Sequence, residues 1–175
     1  MAVPTGYVEA VGTTRTSRHI RAPRAVIYRA LLDADAIAAW RVPSGMTSQV
    51  HEFDGRQGGS FRISLTYDTP NGSGKTTAST DTFHGRFVKL VPNEQVVEAL
   101  EFESEDPGLR GEMTVTTTLA DADAGTDVLV AHEGLPSSVS TADNETGTEM
   151  ALANLAALVE GANGDVGAGT QDHEE

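Results

Sequence analysis

The feature that most constrains the fold is the spacing of apolar residues in the middle of the chain. Between residues 47 and 135 they alternate with polar residues, most clearly at Phe61, Ile63, Leu65 and Tyr67. Successive side chains of a β-strand point to opposite faces of a sheet, so this period of two predicts strands with one buried face. Short turns rich in Gly, Pro and Asn separate these strands, which indicates an antiparallel meander.

Helical patterns lie on both sides of the strand region. Residues 7–20 are rich in Thr and Val and predict a first strand, whereas residues 23–40 carry apolar residues at helical spacing and predict two short helices. Near the other end, Ser140 and Asp143 resemble a capping box before an apolar helical stretch, which we expect Gly161 to end. This order predicts an α+β fold, in which a curved antiparallel sheet of six to seven strands wraps around a long C-terminal helix.

One domain and a tail account for the length. The chain has 175 residues, and a domain typically contains about 100 to 200. We expect a single domain over residues 1–160. Residues 161–175 form an acidic, Gly-rich tail that we expect to be disordered, because it has little apolar surface to bury.

Composition excludes several classes of function. The chain has 26 acidic and 12 basic residues and a net charge of −14, so it repels nucleic-acid backbones and anionic membranes. It has no cysteine, which excludes disulfides, thiolate zinc sites and iron–sulfur clusters. No apolar run reaches the roughly 18–20 residues of a membrane span, and residues 1–7 lack the features of a secretion signal. We therefore expect a cytoplasmic protein that neither binds nucleic acid nor inserts into membranes.

Residues 69–76 resemble a phosphate-binding P-loop, with Thr69 in place of the first glycine. A P-loop needs a buried strand before it and a helix after it, whose first amides hold the phosphates. Here β-branched residues and another strand pattern follow. We therefore predict a hairpin loop at this place and not a nucleotide site.

The histidines predict no metal site. None of the five forms a close pair in sequence, and we expect neither a metal nor another cofactor. His84 and His132 lie on predicted strands, so either could face inward and act as a base or as a hydrogen-bond partner. The simpler interpretation is that each of these two histidines lies at the surface or at the edge of the core.

Glu98 is the carboxylate with the clearest inward direction. It shares one face of its strand with Val96 and Leu100, and that face is the more apolar of the two. A lone carboxylate in a cavity could serve as an acid or a base. An arginine partner, for which Arg62 and Arg86 are the candidates, would instead make it structural.

Five short motifs follow one another from about Thr14 to Glu160. Their residues are, in chain order, Pro23, Val26, Ala30, Leu31, Asp33 and Trp40; Phe53, Asp54, Arg56, Gly58, Gly59 and Phe61; Gly85, Phe87 and Pro92; Gly125, Thr126, His132 and Gly134; and Gly147, Thr148, Leu152 and Leu155. Together they resemble the START-like, or Bet v 1-like, superfamily. The branch they resemble most is that of the activator of Hsp90 ATPase, which is grouped with polyketide cyclase/dehydratase-like proteins. Thr148 departs from the pattern, since many members carry Trp there.

The resemblance implies a sheet and a C-terminal helix that enclose an elongated, mostly apolar cavity in which ligands bind. It implies no catalytic residue, because this superfamily has no universal one. Aromatic and methionine side chains are the candidates for the cavity wall, and we expect about half of the aromatics to line it while the others fill the core. The candidate ligand-binding residues are Trp40, Phe53, Phe61, Tyr67, Phe83, Phe87, Phe102, Met113 and Met150.

Three hypotheses of function follow from the resemblance. The first is the binding of a small apolar or amphipathic molecule in the cavity. The second is a cyclase or dehydratase in the same cavity, which needs an inward ionisable group such as Glu98, His84 or His132. The third is a chaperone-interaction module, ranked last because eukaryotic Hsp90 activators carry a further N-terminal domain for which this chain has no room. Homodimerisation through a sheet edge stays open.

Overall fold

A single curled antiparallel sheet dominates the part of the chain that the computed structural model describes, residues 12–68 and 79–166. Its strands are, in chain order, β1 Thr14–Ile20, β2 Met46–Phe53, β3 Ser60–Tyr67, β4 Thr80–Val91, β5 Gln95–Phe102, β6 Met113–Ala122 and β7 Gly125–Glu133. Their order across the sheet is β1-β7-β6-β5-β4-β3-β2, so β1 and β2 form its edges. The predicted fold class and number of strands are confirmed.

Two short helices connect β1 to β2, as predicted: α1 Arg24–Leu31 and α2 Ala34–Trp40. The helical pattern breaks between them because Asp33 is the N-cap of α2. Its side chain accepts a hydrogen bond from the backbone N–H of Ala36 at 3.0 Å. Such a cap satisfies one of the amides that the first turn of a helix leaves unpaired.

The long C-terminal helix is α3 Thr141–Val166. Its start agrees with the prediction, because Oγ of Ser140 accepts a hydrogen bond from the backbone N–H of Asp143 at 3.3 Å. Its end does not, because the helix continues through Gly161, where we expected it to stop. One interior glycine costs a helix only about 1 kcal/mol and keeps its N–H, so it need not end the helix. Residues 167–175 of the expected tail lie outside the described residues.

Gly85 lies at a point of the curled sheet where neighbouring side chains leave no room for a Cβ atom. A Cβ atom on Gly85 of β4 would lie 2.7 Å from Cβ of Leu100 and 2.8 Å from Cζ of Phe61. Only glycine therefore lets the Phe61 ring lie across this strand. β2 and β4 each also shift register once against a neighbouring strand, and such irregularities increase the local twist of a sheet.

The core lies between the sheet and the later turns of α3. Leu152, Leu155 and Val159 of α3 are at most 2% exposed, and they belong to one cluster with Ile20 of β1 and Ile27 of α1. The helix contacts β1, α1 and α2 here. Its first turns instead border a cavity.

Candidate functional site

A cavity of about 800 Å³ lies between the inner face of the sheet and the first turns of α3. The sheet side includes Leu65, Leu100 and Val130, and the segments before β2 and before α3 also contribute to the wall. Polar side chains gather around the start of the helix, namely Ser138, Ser140, Asp143, Asn144, Thr146 and Thr148. The volume falls in the range of roughly 300 to 1,000 Å³ that is typical of small-molecule sites.

Six of the nine residues that we expected at a ligand site line this cavity. They are Trp40, Tyr67, Phe83, Phe102, Met113 and Met150. Phe53, Phe61 and Phe87 are not part of the cavity wall and pack with the core. The ring centroids of Phe53 and Phe87 are 5.6 Å apart, and those of Phe61 and Phe87 are 5.2 Å apart. The expected residues are thus divided between the cavity wall and the core.

Glu98 lines the cavity from the middle of β5. It is buried together with Val96 and Leu100 of the same strand, as the sequence pattern predicted. Its Oε1 accepts a hydrogen bond of 2.7 Å from Nη1 of Arg41, which is the residue directly after α2. The side chains of Arg41 and Glu98 are only 19% and 7% exposed, so the ion pair is largely removed from water.

The partner of Glu98 differs from the one that we predicted. Arg62 and Arg86 instead bind Glu103 and Glu112, each through a hydrogen bond of 2.8 Å. Side chains of a strand alternate between the two faces of the sheet, and both arginines stand on the outer face. The prediction was wrong because the partner, Arg41, lies outside the sheet, directly after α2.

Arg41 is the site residue that the sequence analysis missed, and its only sequence signal is its place directly after Trp40. Its guanidinium carbon lies 5.4 Å from the ring centroid of Phe83, a cation–π contact. The backbone on both sides of Arg41 is bound to α3. Nδ2 of Asn154 donates hydrogen bonds to the carbonyl oxygens of Val42 at 2.9 Å and Trp40 at 3.4 Å.

His132 lies on the same face of the sheet as Glu98. Val115 of β6 pairs with Glu98 of β5 on one side and with His132 of β7 on the other, so the three side chains form one row. Burial, together with the charge of Arg41, lowers the pKa of His132 to about 4. The imidazole is therefore neutral at pH 7. Its Nδ1 is buried and has no hydrogen-bond partner among the described residues.

Comparison with protein families identifies the relatives of this chain. The model of the family described as activator of Hsp90 ATPase homolog 1-like protein matches residues 21–160. The chain belongs to this family. The match confirms the resemblance that the sequence motifs indicated. No curated protein matches the chain.

Several solved structures share the fold of this chain. The crystal structure of protein CV1439 from Chromobacterium violaceum is 34% identical, with a TM-score of 0.77 over 86% of this chain and 99% of that one. The solution structure of the AHSA1-like protein from Aeromonas hydrophila is 21% identical, with a TM-score of 0.64 over 93% and 99% of the two chains. DynU16, from the dynemicin biosynthetic locus, is 20% identical, with a TM-score of 0.60 over 86% and 48%. At these low identities, the similarity to the last two structures establishes a shared fold and no shared function.

Thr148, where this AHSA1-like chain departs from the motif, lies in the cavity wall. Its Oγ1 donates a hydrogen bond of 2.8 Å to the carbonyl oxygen of Asn144, one turn earlier in α3. The side chain of Asn144 accepts a hydrogen bond of 2.6 Å from Oγ1 of Thr14 on β1. A threonine at this position leaves space that a tryptophan would occupy.

His84 lies on the outer face of the AHSA1-like sheet, away from the cavity wall. Its Nε2 is 3.2 Å from Oε1 of Glu101, and its Nδ1 is 3.5 Å from Oε2 of Glu103. Hydrogen bonding to Arg62 lowers the pKa of Glu103, and His84 adds to this effect. His84 is thus separated from the other two candidates for chemistry.

Neither a cluster of metal-binding side chains nor a membrane-spanning helix is found among the described residues. In residues 12–68 and 79–166, no group of three or more His, Asp or Glu side chains is arranged to hold a metal ion. No helix among these residues is both long enough and apolar enough to cross a membrane. The segment 69–76 that resembles a P-loop lies outside the described residues.

Proposed function

We propose that this protein binds a small apolar or amphipathic molecule in the cavity between the sheet and α3. The observation that carries the proposal is a volume of about 800 Å³ bordered by Trp40, Tyr67, Phe83 and Phe102. A cavity of this size forfeits the dispersion contacts that side chains of a filled core would make, which costs free energy. A bound apolar molecule restores those contacts. We also propose that the protein is cytoplasmic.

The polar side chains of the cavity favour an amphipathic ligand over a hydrocarbon. Arg41, Glu98 and His132 line one part of the wall and polar side chains at the start of α3 line another, while most of the remaining lining residues are apolar. Ligand sites typically combine a mainly apolar surface with a few polar groups that set the orientation of the ligand. A molecule with an apolar body and one polar group would match this arrangement.

Native mass spectrometry of the full chain, purified from cells, tests the proposal. We expect an added mass that disappears when the same sample is denatured, and its value would narrow the chemical class of the ligand. A panel of lipids and aromatic compounds should also contain members that raise the melting temperature. A bare mass together with no thermal shift across the panel would contradict the proposal.

A cyclase or dehydratase that uses the same cavity is the second candidate. The observation that favours it is the inward carboxylate of Glu98 in one row with the neutral imidazole of His132. Glu98 is held by Arg41, so it would act as a base only where a substrate takes over that hydrogen bond. A carboxylate can then remove a proton next to a carbonyl group, and hydrogen-bond donors can stabilise the charge that develops on its oxygen.

The Glu98→Gln variant distinguishes an enzyme from a carrier. If the protein is a dehydratase, the variant should retain a precursor that is one water molecule heavier than the product found in the wild type. If it is a cyclase without loss of water, the retained molecule should have the same mass and a different chromatographic retention. Identical bound molecules in both proteins would contradict the enzyme hypothesis.

No specific observation favours the chaperone-interaction hypothesis, which stays a prediction. The large apolar side chains that are exposed among the described residues are Val88, at 46%, and Leu158, at 38%. One belongs to β4 and the other to α3. Isolated exposed apolar residues are normal in soluble proteins and do not mark an interface. Homodimerisation through β1 or β2, the two sheet edges, likewise stays a prediction.

A further inference from the structure

Arg41 has hydrogen-bonding capacity that the fold does not use. Its guanidinium carries five N–H groups, and the contact with Glu98 engages one of them, on Nη1. Among the described residues the other four have no hydrogen-bond partner, although the side chain lines the cavity. The ring of Phe83 and the bonds from Asn154 to the flanking backbone hold the group in place. Arg41 therefore presents donors at a fixed position of the cavity wall.

His132 contributes a second donor to the same cavity wall. Its Nδ1 is buried without a partner among the described residues whichever tautomer the ring adopts, and a buried N–H without an acceptor is rarer than a buried acceptor without a donor. We therefore assign the proton of the neutral ring to Nε2. Arg41 binds Glu98, which shares one row of the sheet with His132, and both side chains line the cavity. We name this pair, Arg41 and His132, the donor pole of the cavity.

The charges in the cavity disfavour an anionic ligand. Among the described residues, Glu98 and Asp143 contribute carboxylates to the wall and Arg41 contributes a cation. Arg41 is also already paired, with Glu98. A ligand carboxylate or phosphate would have to compete with Glu98 for Arg41, and removing one partner from a largely buried ion pair is costly.

We propose that the donor pole holds the oxygen of a neutral carbonyl group on an otherwise apolar ligand. A carbonyl oxygen has two lone pairs and needs no charge, so it can accept one hydrogen bond from Arg41 and one from His132. The apolar remainder of the ligand would lie against Trp40, Tyr67 and Phe102. This inference rests on the proposed ligand-binding function and narrows it to one chemical class.

Three probes of nearly the same shape test the inference. They are ethylnaphthalene, acetylnaphthalene and naphthoate, substituted at the same ring position, and their affinities are measured with the full chain at pH 7. We expect acetylnaphthalene to bind on the order of tenfold more tightly than ethylnaphthalene, as for hydrogen bonds to a charged donor. We expect naphthoate to bind more weakly than acetylnaphthalene.

Variants test whether the donor pole causes the preference for acetylnaphthalene over ethylnaphthalene. Arg41→Met combined with Glu98→Gln removes the guanidinium without leaving a buried carboxylate unpaired, and His132→Phe removes the imidazole alone. We expect each to reduce the ratio of acetylnaphthalene to ethylnaphthalene affinity while ethylnaphthalene still binds. The same exchanges on the outer face, Arg62→Met with Glu103→Gln and His84→Phe, serve as controls that keep the ratio. Circular dichroism checks that each variant is folded.

The possible results separate this inference from the proposed function. Equal affinities for the ethyl and acetyl probes, or tightest binding of naphthoate, would overturn the carbonyl assignment and leave ligand binding intact. A preference for the acetyl probe that survives in both the double variant and His132→Phe would overturn the donor pole. If none of the three probes binds and no molecule is carried through purification, the proposed function itself is contradicted, and the inference with it.

Discussion

One hydrogen bond of 2.7 Å joins Nη1 of Arg41 to Oε1 of Glu98 in the wall of the cavity. Arg41 follows the last residue of α2 and Glu98 lies on β5, so the bond exists only because the helix pair docks onto the sheet. Both side chains are largely removed from water. Water stabilises these two charges only weakly, so each needs its partner far more than a charge in an exposed pair does.

Glu98→Gln should destabilise the protein strongly. The substitution leaves the Arg41 cation in a poorly solvated position without its counter-charge. We expect the free energy of unfolding to fall by about 3 kcal/mol, as found when one partner of a buried ion pair is removed. Urea denaturation at pH 7 measures it. Adding Arg41→Met to Glu98→Gln should recover part of the loss.

Glu103→Gln is the matched control on the outer face. Glu103 binds Arg62, and their side chains are 31% and 44% exposed, so water screens this pair. We expect a loss below about 1 kcal/mol. Equal losses for the two glutamates would show that the Arg41–Glu98 pair is no more important than a surface pair.

His132 should make the protein less stable in mildly acidic solution. Its pKa in the folded protein is about 4, against 6.5 for a free side chain. Above pH 6.5 the ring is neutral in both states. Between these values only the unfolded chain takes up the proton, so the free energy of unfolding falls with falling pH, by at most roughly 1.4 kcal/mol per pH unit. Below pH 4 this contribution levels off.

His132→Phe should flatten that slope between pH 5 and pH 7, a range above the usual titration of carboxylates. The measurement is a series of urea denaturation curves across this range. Val115→Ala, which changes the neighbouring side chain of the same row and removes no titratable group, should keep the slope of the wild type. An unchanged slope in His132→Phe would show that a different group titrates.

Gly85→Ala should destabilise the sheet, because the added Cβ would press against Leu100 and Phe61 at 2.7 and 2.8 Å. Overpacking of this kind costs about 1 to 3 kcal/mol.

Gly161→Ala should instead stabilise the protein. It lies inside α3 with nothing within 4 Å of its added Cβ, so we expect a gain of up to about 1 kcal/mol. Thermal denaturation measures both changes, and a loss at Gly161→Ala would contradict the continuation of the helix through that residue.

Thr148→Trp should fill part of the cavity. The new ring extends from α3 into space that Thr148 now borders, so we expect ligand affinity to fall at least tenfold while the melting temperature stays equal or rises. Glu145→Trp, on an exposed position of the same helix that does not line the cavity, is the control. Unchanged affinity in Thr148→Trp would place the ligand elsewhere.

The sequence by itself was sufficient for properties that depend on local periodicity. The alternation of β5 predicted that Glu98 shares the inner face with Val96 and Leu100, and all three are buried. Helical spacing also predicted two short helices over residues 23–40, and the structure shows Asp33 as the cap of the second. These features follow from the directions of successive side chains along one element, which the order of residues determines.

Only the tertiary structure decided which of these residues meet. Glu98 and His132 share a row because Val115 pairs with both, and pairing register across three strands cannot be read from any one of them. Arg41 reaches Glu98 because the end of α2 is bound to Asn154 of α3, a contact between residues 112 to 114 positions apart in sequence. The cavity itself arises from the distance between a curled sheet and a straight helix. That distance is a property of their packing and not of either element alone.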